Sequence, residues 1–114
     1  MVRSVLLPAR VTSMNTAEQE LREVYDGLKP GDRVAIAMRN YPEWMQAYWA
    51  SISVGAAVVG MNAWWIGPEM LYALEDSTPK VMILDKERLD QLGEHRAKVS
   101  DIKLVGVRFP EPHA

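Results

Sequence analysis

At 114 residues, with 48% hydrophobic and 25% charged side chains, the chain has the length and apolar content of one globular domain, which excludes a disordered class. A net charge of −2 gives no general electrostatic pull toward nucleic acid or an anionic membrane, so neither is expected as a partner. Cysteine is absent, which excludes disulfides, a thiolate nucleophile and cysteine-ligated zinc or iron–sulfur centres.

Near the start, Val5, Leu6 and Leu7 form an apolar run too short for a signal-peptide core. No later run approaches the ~18–20 apolar residues of a membrane span. A soluble, cytoplasmic protein is expected. Residues 1–14 lack a sustained period and contain Pro8, and they read as an irregular leader; residues 15–109 read as one α/β unit and 110–114 as a tail. From Asn15 or Thr16 the pattern predicts a helix, with Thr16 and Gln19 at capping-box spacing and Leu21, Val24, Tyr25 and Leu28 on one apolar face.

Pro30-Gly31-Asp32 predicts a turn, and Arg33–Met38 the first strand, an apolar run short enough to be buried on both sides. Asn40 is expected to cap the next helix, with Pro42 in its first turn and Glu43 complementing its dipole. Gly55 ends that helix, and Ala56–Val59 is the second strand. Residues 62–67 read as a connector in which Asn62 serves as a turn residue. Pro68 and Glu69 open a helix through Met70, Leu71 and Leu74, which Ser77-Thr78-Pro79 stops. Val81–Leu84 is the third strand, Asp85 a cap, and residues 86–98 a weakly patterned helix before a fourth strand at Lys103–Phe109. Strands separated by single helices predict an α/β fold with a mostly parallel sheet and helices on its faces.

The chain offers little catalytic chemistry. Gly55 and Gly60 have the separation of a Walker-type phosphate loop, but Met61 and Asn62 occupy the places of its Lys and Ser/Thr. Flanking a tightly packed strand is the better account of both glycines. Ser77-Thr78-Pro79-Lys80 has no glycine to expose its amides to a phosphate, and a helix stop explains all four residues. His95 and His113 have no second ligand at helical spacing and no nucleophile elbow beside them, so surface positions are expected. Glu75 and Asp76 are neighbours, and on a helix they point about 100° apart rather than toward one proton. Of four tryptophans, Trp44 and Trp49 are expected in the core on one helix face. Trp64 and Trp65 cannot both bury on one side of an extended connector, so at least one is expected to meet a neighbouring domain or a ligand.

The segments Leu28-Lys29-Pro30-Gly31-Asp32-Arg33-Val34-Ala35-Ile36, Arg39-Asn40-Tyr41-Pro42-Glu43-Trp44 and Gly55 through Trp65 follow one another in a familiar order. Glu69, Tyr72, Leu74, Asp76-Ser77 and Pro79-Lys80-Val81-Met82-Ile83 continue it. From Gly27 to about Leu92 the chain resembles the N-terminal region of the AMP-forming acyl-CoA synthetase and fatty-acid–CoA ligase family. The Asn62-Ala63-Trp64-Trp65 element is most similar to the fatty-acyl branch.

The resemblance implies a partial AMP-binding domain over residues 15–109. It implies an activity in which an acid and ATP give an acyl adenylate, whose acyl group coenzyme A then takes. ATP, magnesium and coenzyme A are the cofactors implied for the full-length family, with none assigned to this chain. The family's Ser/Thr/Gly-rich phosphate loop ending in Pro-Lys-Gly, its aromatic-Gly-Thr-Glu motif, its ribose-binding Asp and its C-terminal-domain Lys have no counterpart in the sequence. No catalytic, cofactor-binding or metal residue is therefore assigned, and a truncated fragment, inactive alone, with the remainder of the synthetase as partner, is expected. A small interaction module that binds a protein partner is the alternative.

Overall fold

The computed structural model describes residues 11–13 and 24–109. Within them lie strands β1 (Val11–Ser13), β2 (Arg33–Ala37), β3 (Ala57–Gly60), β4 (Val81–Asp85) and β5 (Lys103–Val107). Between them come helices α1 (Pro42–Ser53), α2 (Gly67–Ser77) and α3 (Lys86–Leu92), the last running into a 3₁₀ helix over Gly93–Val99. The sheet order is β1-β5-β4-β2-β3, and each neighbouring pair is parallel.

Register explains how short apolar runs fill both faces. Ile36 pairs with Ile83, which pairs with Val105; one step along, Ala35 pairs with Met82, which pairs with Leu104. Because side chains alternate across a strand, the first row enters one core and the second row the other. Ile36, Ile83 and Val105 pack with Tyr25 and Ala47 of α1, whereas Ala35, Met82 and Leu104 pack with Met70, Leu74, Leu92 and Val99. All five residues of β4 are buried, which a strand covered on both faces requires.

The connections fix where a ligand would bind. β2 reaches its neighbour β3 through α1 on one face, while β3 returns across β2 to β4 through α2 on the other. Direction and face reverse together, as a uniform crossover hand demands. The adjacent strands β2 and β4 are thus left by connections running opposite ways, which opens a crevice at their carboxyl ends, the switch point of an open α/β sheet.

Several boundaries differ from expectation for identifiable reasons. The leader expected to be irregular contains β1, three residues paired with Leu104, Val105 and Gly106; so short a strand has no readable period and is defined by its partner edge. Asn40 is not the cap of α1. Pro42 holds the preceding residue extended, so Tyr41 (φ −85, ψ 158) is the N-cap, without a side-chain hydrogen bond. The helix expected over residues 86–98 changes to 3₁₀ geometry at Gly93 (φ 53). The helix expected from residue 15 lies mostly outside the described residues, which show helix at 24–26. The turn behaves as its residues dictate: Pro30 precedes Gly31, whose φ of 89 suits a type II turn, and the Asp32 carboxylate accepts from the Lys29 amide at 2.8 Å.

Candidate functional site

At the carboxyl end of β2 the chain continues through Met38, Arg39 and Asn40; at that of β4 it meets Asp85, the cap of α3. Asp85 is buried and holds both ends together. One carboxylate oxygen accepts from the Arg88 amide at 3.0 Å, and the other from the Arg39 amide at 3.2 Å. Arg88, only 4% exposed, approaches the same carboxylate at 3.5 Å and donates to Glu87 at 2.8 Å. Glu87 also accepts from the Arg39 guanidinium at 3.5 Å. The chain's own ion pairs therefore span the switch point.

Beside this cluster lies a cleft of about 630 Å³ lined by Met38, Arg39, Trp44, Met61, Asn62 and Trp64 among others. Asn62 forms the expected turn, its side-chain oxygen accepting from the Trp64 amide at 2.8 Å. Trp64 is 76% exposed, with the Arg39 guanidinium 4.9 Å from its ring centre, a contact that orients the ring over the cleft. Trp65 is half-buried against the α2 side of the core, so the two adjacent rings part across the Asn62 turn rather than along an extended connector.

At the end of β5, Arg108 (φ 56) lies 4.3 Å from the Tyr41 ring and donates to Glu43 at 2.9 Å, tying β5 to the start of α1. Burial alone would raise the Glu43 pKa, but the Arg108 hydrogen bond and charge, together with a backbone hydrogen bond, outweigh it and lower the value.

The other singled-out residues take structural positions. Gly55 (φ 82) abuts Pro30, where an added Cβ would come within 3.4 Å of backbone, and Gly60 faces the Trp44 ring. Both flank β3. Ser77 bonds back to the Ala73 carbonyl at 2.6 Å, and Thr78 takes a left-handed conformation while its hydroxyl accepts from Arg33 at 2.6 Å. That segment borders a cavity of about 640 Å³ at the amino ends of the strands, the edge opposite to the one α/β sheets use for ligands.

His95 packs under Gly67, where an added Cβ would come within 2.8 Å of its ring. His113 lies outside the described residues. Glu75 and Asp76 are exposed on α2. Among the described residues no three His, Cys, Asp or Glu side chains form a metal-sized group, and no helix is long and apolar enough to cross a membrane.

Trp44 is half-buried and stacked on Tyr48 at 5.9 Å, as expected of a core residue. Trp49 is not in the core but 58% exposed. Five residues on a helix turn through roughly 140° from the nearest full turn, so Trp44 and Trp49 cannot face one sheet together. The Arg39–Asp85–Glu87–Arg88 cluster had no signal in the sequence beyond Asp85 as a cap, since it exists only where β2 and β4 adjoin.

A sequence profile described as AMP-binding enzyme matches residues 21–112. The chain is 33% identical over 88 residues to a 3-hydroxybenzoate–CoA/4-hydroxybenzoate–CoA ligase of Thauera aromatica, covering 77% of this chain and 17% of that protein. A fatty acyl CoA synthetase of Mycobacterium tuberculosis superposes with a TM-score of 0.67 at 27% identity, over 77% of this chain and 18% of the other. The N-terminal domain of FACL13 from the same organism gives 0.67 at 27% identity, over 76% of this chain and 23% of that domain. The chain thus spans about a fifth of the relatives it matches.

Proposed function

Because this chain belongs to the AMP-binding enzyme family, we propose that it forms an early strand-and-helix part of an AMP-forming fatty-acid–CoA ligase in the cytoplasm and turns over no substrate by itself. In the complete reaction a carboxylate oxygen attacks the α-phosphorus of ATP and expels pyrophosphate. The coenzyme A thiol, losing its proton, then attacks the acyl carbon and expels AMP. ATP, magnesium and coenzyme A would be held by the remainder of the ligase, which supplies the phosphate loop, the Gly-Thr-Glu motif and the lysine.

One observation carries this reading: the profile match covers residues 21–112, yet the chain matches only 17% of the hydroxybenzoate ligase. The charged residues at the switch point pair mainly with one another, which suits a framework role. Asn62-Ala63-Trp64-Trp65 supports a fatty-acyl substrate, whereas the Thauera relative acts on hydroxybenzoates by its name. The test is acid-dependent exchange of labelled pyrophosphate into ATP by the purified chain, offered fatty acids and hydroxybenzoates in turn. No exchange above a boiled control is expected, since on this reading the groups that position and stabilise the reacting phosphate belong to the remainder of the ligase. Exchange by the isolated chain would overturn the proposal.

A further inference from the structure

Helix α2 is closed by a residue whose backbone conformation does not suit it. Thr78 is left-handed (φ 48, ψ 57), a region that ends helices through glycine or asparagine and that a β-branched side chain rarely enters. Its amide donates to the Leu74 carbonyl at 2.9 Å and closes the turn. The conformation is held from 45 positions away: Arg33, the first residue of β2, donates from its guanidinium to the Thr78 hydroxyl at 2.6 Å and to the Ser77 carbonyl. Such strain clusters at ligand clamps and switch regions.

Two hydroxyls sit side by side here, and one of them is available. Ser77 is half-buried and donates back to the Ala73 carbonyl at 2.6 Å, whereas Thr78 is exposed and its hydroxyl donates to nothing among the described residues. Thr78 is also the one Ser or Thr of the sequence that proline follows. A hydroxyl before proline is the acceptor form that proline-directed protein kinases take. Pro79 is buried, so transfer requires the end of α2 to open, and the strain at Thr78 lowers the cost of that opening.

The surroundings suit a phosphate better than a free hydroxyl. Arg33, Lys80 and Lys98 line the cavity of about 640 Å³ that Thr78 borders, and none of the three forms an ion pair among the described residues. Of the acids on the same cavity, Asp32 is turned to the Lys29 amide at 2.8 Å, while Glu75 and Asp101 are exposed to water. A phosphate on Thr78 adds about −1.5 to −2 of charge and three acceptor oxygens where a guanidinium fork already points. That fork matches phosphate bidentately. At the carboxyl end of a helix an unpaired phosphate opposes the dipole, so the three cations decide whether the site can hold one.

We propose that Thr78 is a phosphorylation site for a proline-directed protein kinase and that its phosphate is held by Arg33 with Lys80 and Lys98. In the transfer the Thr78 oxygen bonds to the γ-phosphorus of a nucleoside triphosphate, the bond to the bridging oxygen breaks, nucleoside diphosphate leaves, and the hydroxyl proton passes to the kinase. The site lies at the amino edge of the sheet, away from the switch-point cleft, and stands independently of the function proposed above.

The test incubates the purified full chain with a proline-directed kinase and ATP, maps the phosphate by peptide mass spectrometry and titrates the product by phosphorus NMR. Phosphate should appear on Thr78. Thr78→Asn, which suits a left-handed turn but has no hydroxyl, should abolish it, and Ser77→Ala should leave it unchanged. In the folded product the second phosphate pKa should lie below its ordinary value of about 6, because neighbouring cations favour the dianion. Arg33→Gln, which keeps a donor for the Ser77 carbonyl, should return the pKa toward that value, as should unfolding in urea. Either no phosphate on Thr78 or an unshifted pKa in the folded product would overturn the proposal.

Discussion

β4 and β3 are strands of one sheet made from similar apolar runs, and their surroundings differ completely. Every residue of Val81–Asp85 is buried, with α2 and α3 on one face and α1 with residues 24 and 25 on the other. Ala57–Gly60 is exposed at both ends and half-buried between, with one hydrogen-bonded neighbour. An apolar run therefore predicts that a segment can be buried, whereas its place in the strand order decides how far this chain buries it. The same contrast separates the two sides of α1: one completes a core, and the other presents Trp49 to water.

The contrast breaks most visibly under truncation of side chains. Ile83→Ala in β4 should cost about 2–5 kcal/mol, the range for a large aliphatic removed from a closed core. Val59→Ala in β3 should cost about 1 kcal/mol or less, since its methyl groups are already partly in water. Urea unfolding of the two variants compares them directly. Equal losses would mean that β3 is covered as fully as β4.

A smaller effect sharpens the account at the carboxyl end of β5. The Glu43 pKa is lowered in the folded chain, so its contribution to stability is present above the unfolded value of 4.5 and is lost as pH falls through the folded value. The unaltered chain should exceed Glu43→Gln in urea midpoint at about pH 6, and the gap should close by about pH 3. A gap that persists unchanged in acid would show that the Arg108–Glu43 pair does not carry it.

Much of the framework was legible because parallel strands write themselves as short apolar runs between helix signals. β2, β3, β4 and β5 lie within a residue or two of the runs RVAIAM, AAVV, VMIL and the stretch before Phe109. What depends on a partner was not legible. β1 is too short to carry a period, Tyr41 replaced Asn40 as cap because Pro42 governs the residue before it, and Trp49 faces away because a helix turns between it and Trp44. The site divides the same way. The Asn62 turn is local and was readable, whereas Asp85 meets Arg39 across 46 positions of sequence and needed the strand order.

In this chain the middle of the sheet is covered on both faces, whereas the α1–β3 side is partly exposed. Amide hydrogen exchange of the purified chain tests it most directly. Slow exchange is predicted across Val81–Asp85 and Lys103–Val107 and much faster exchange across Ala57–Gly60, because weaker burial and an edge that pairs with no strand among the described residues lower the cost of local opening. Protection in β3 equal to that in β4 would contradict it.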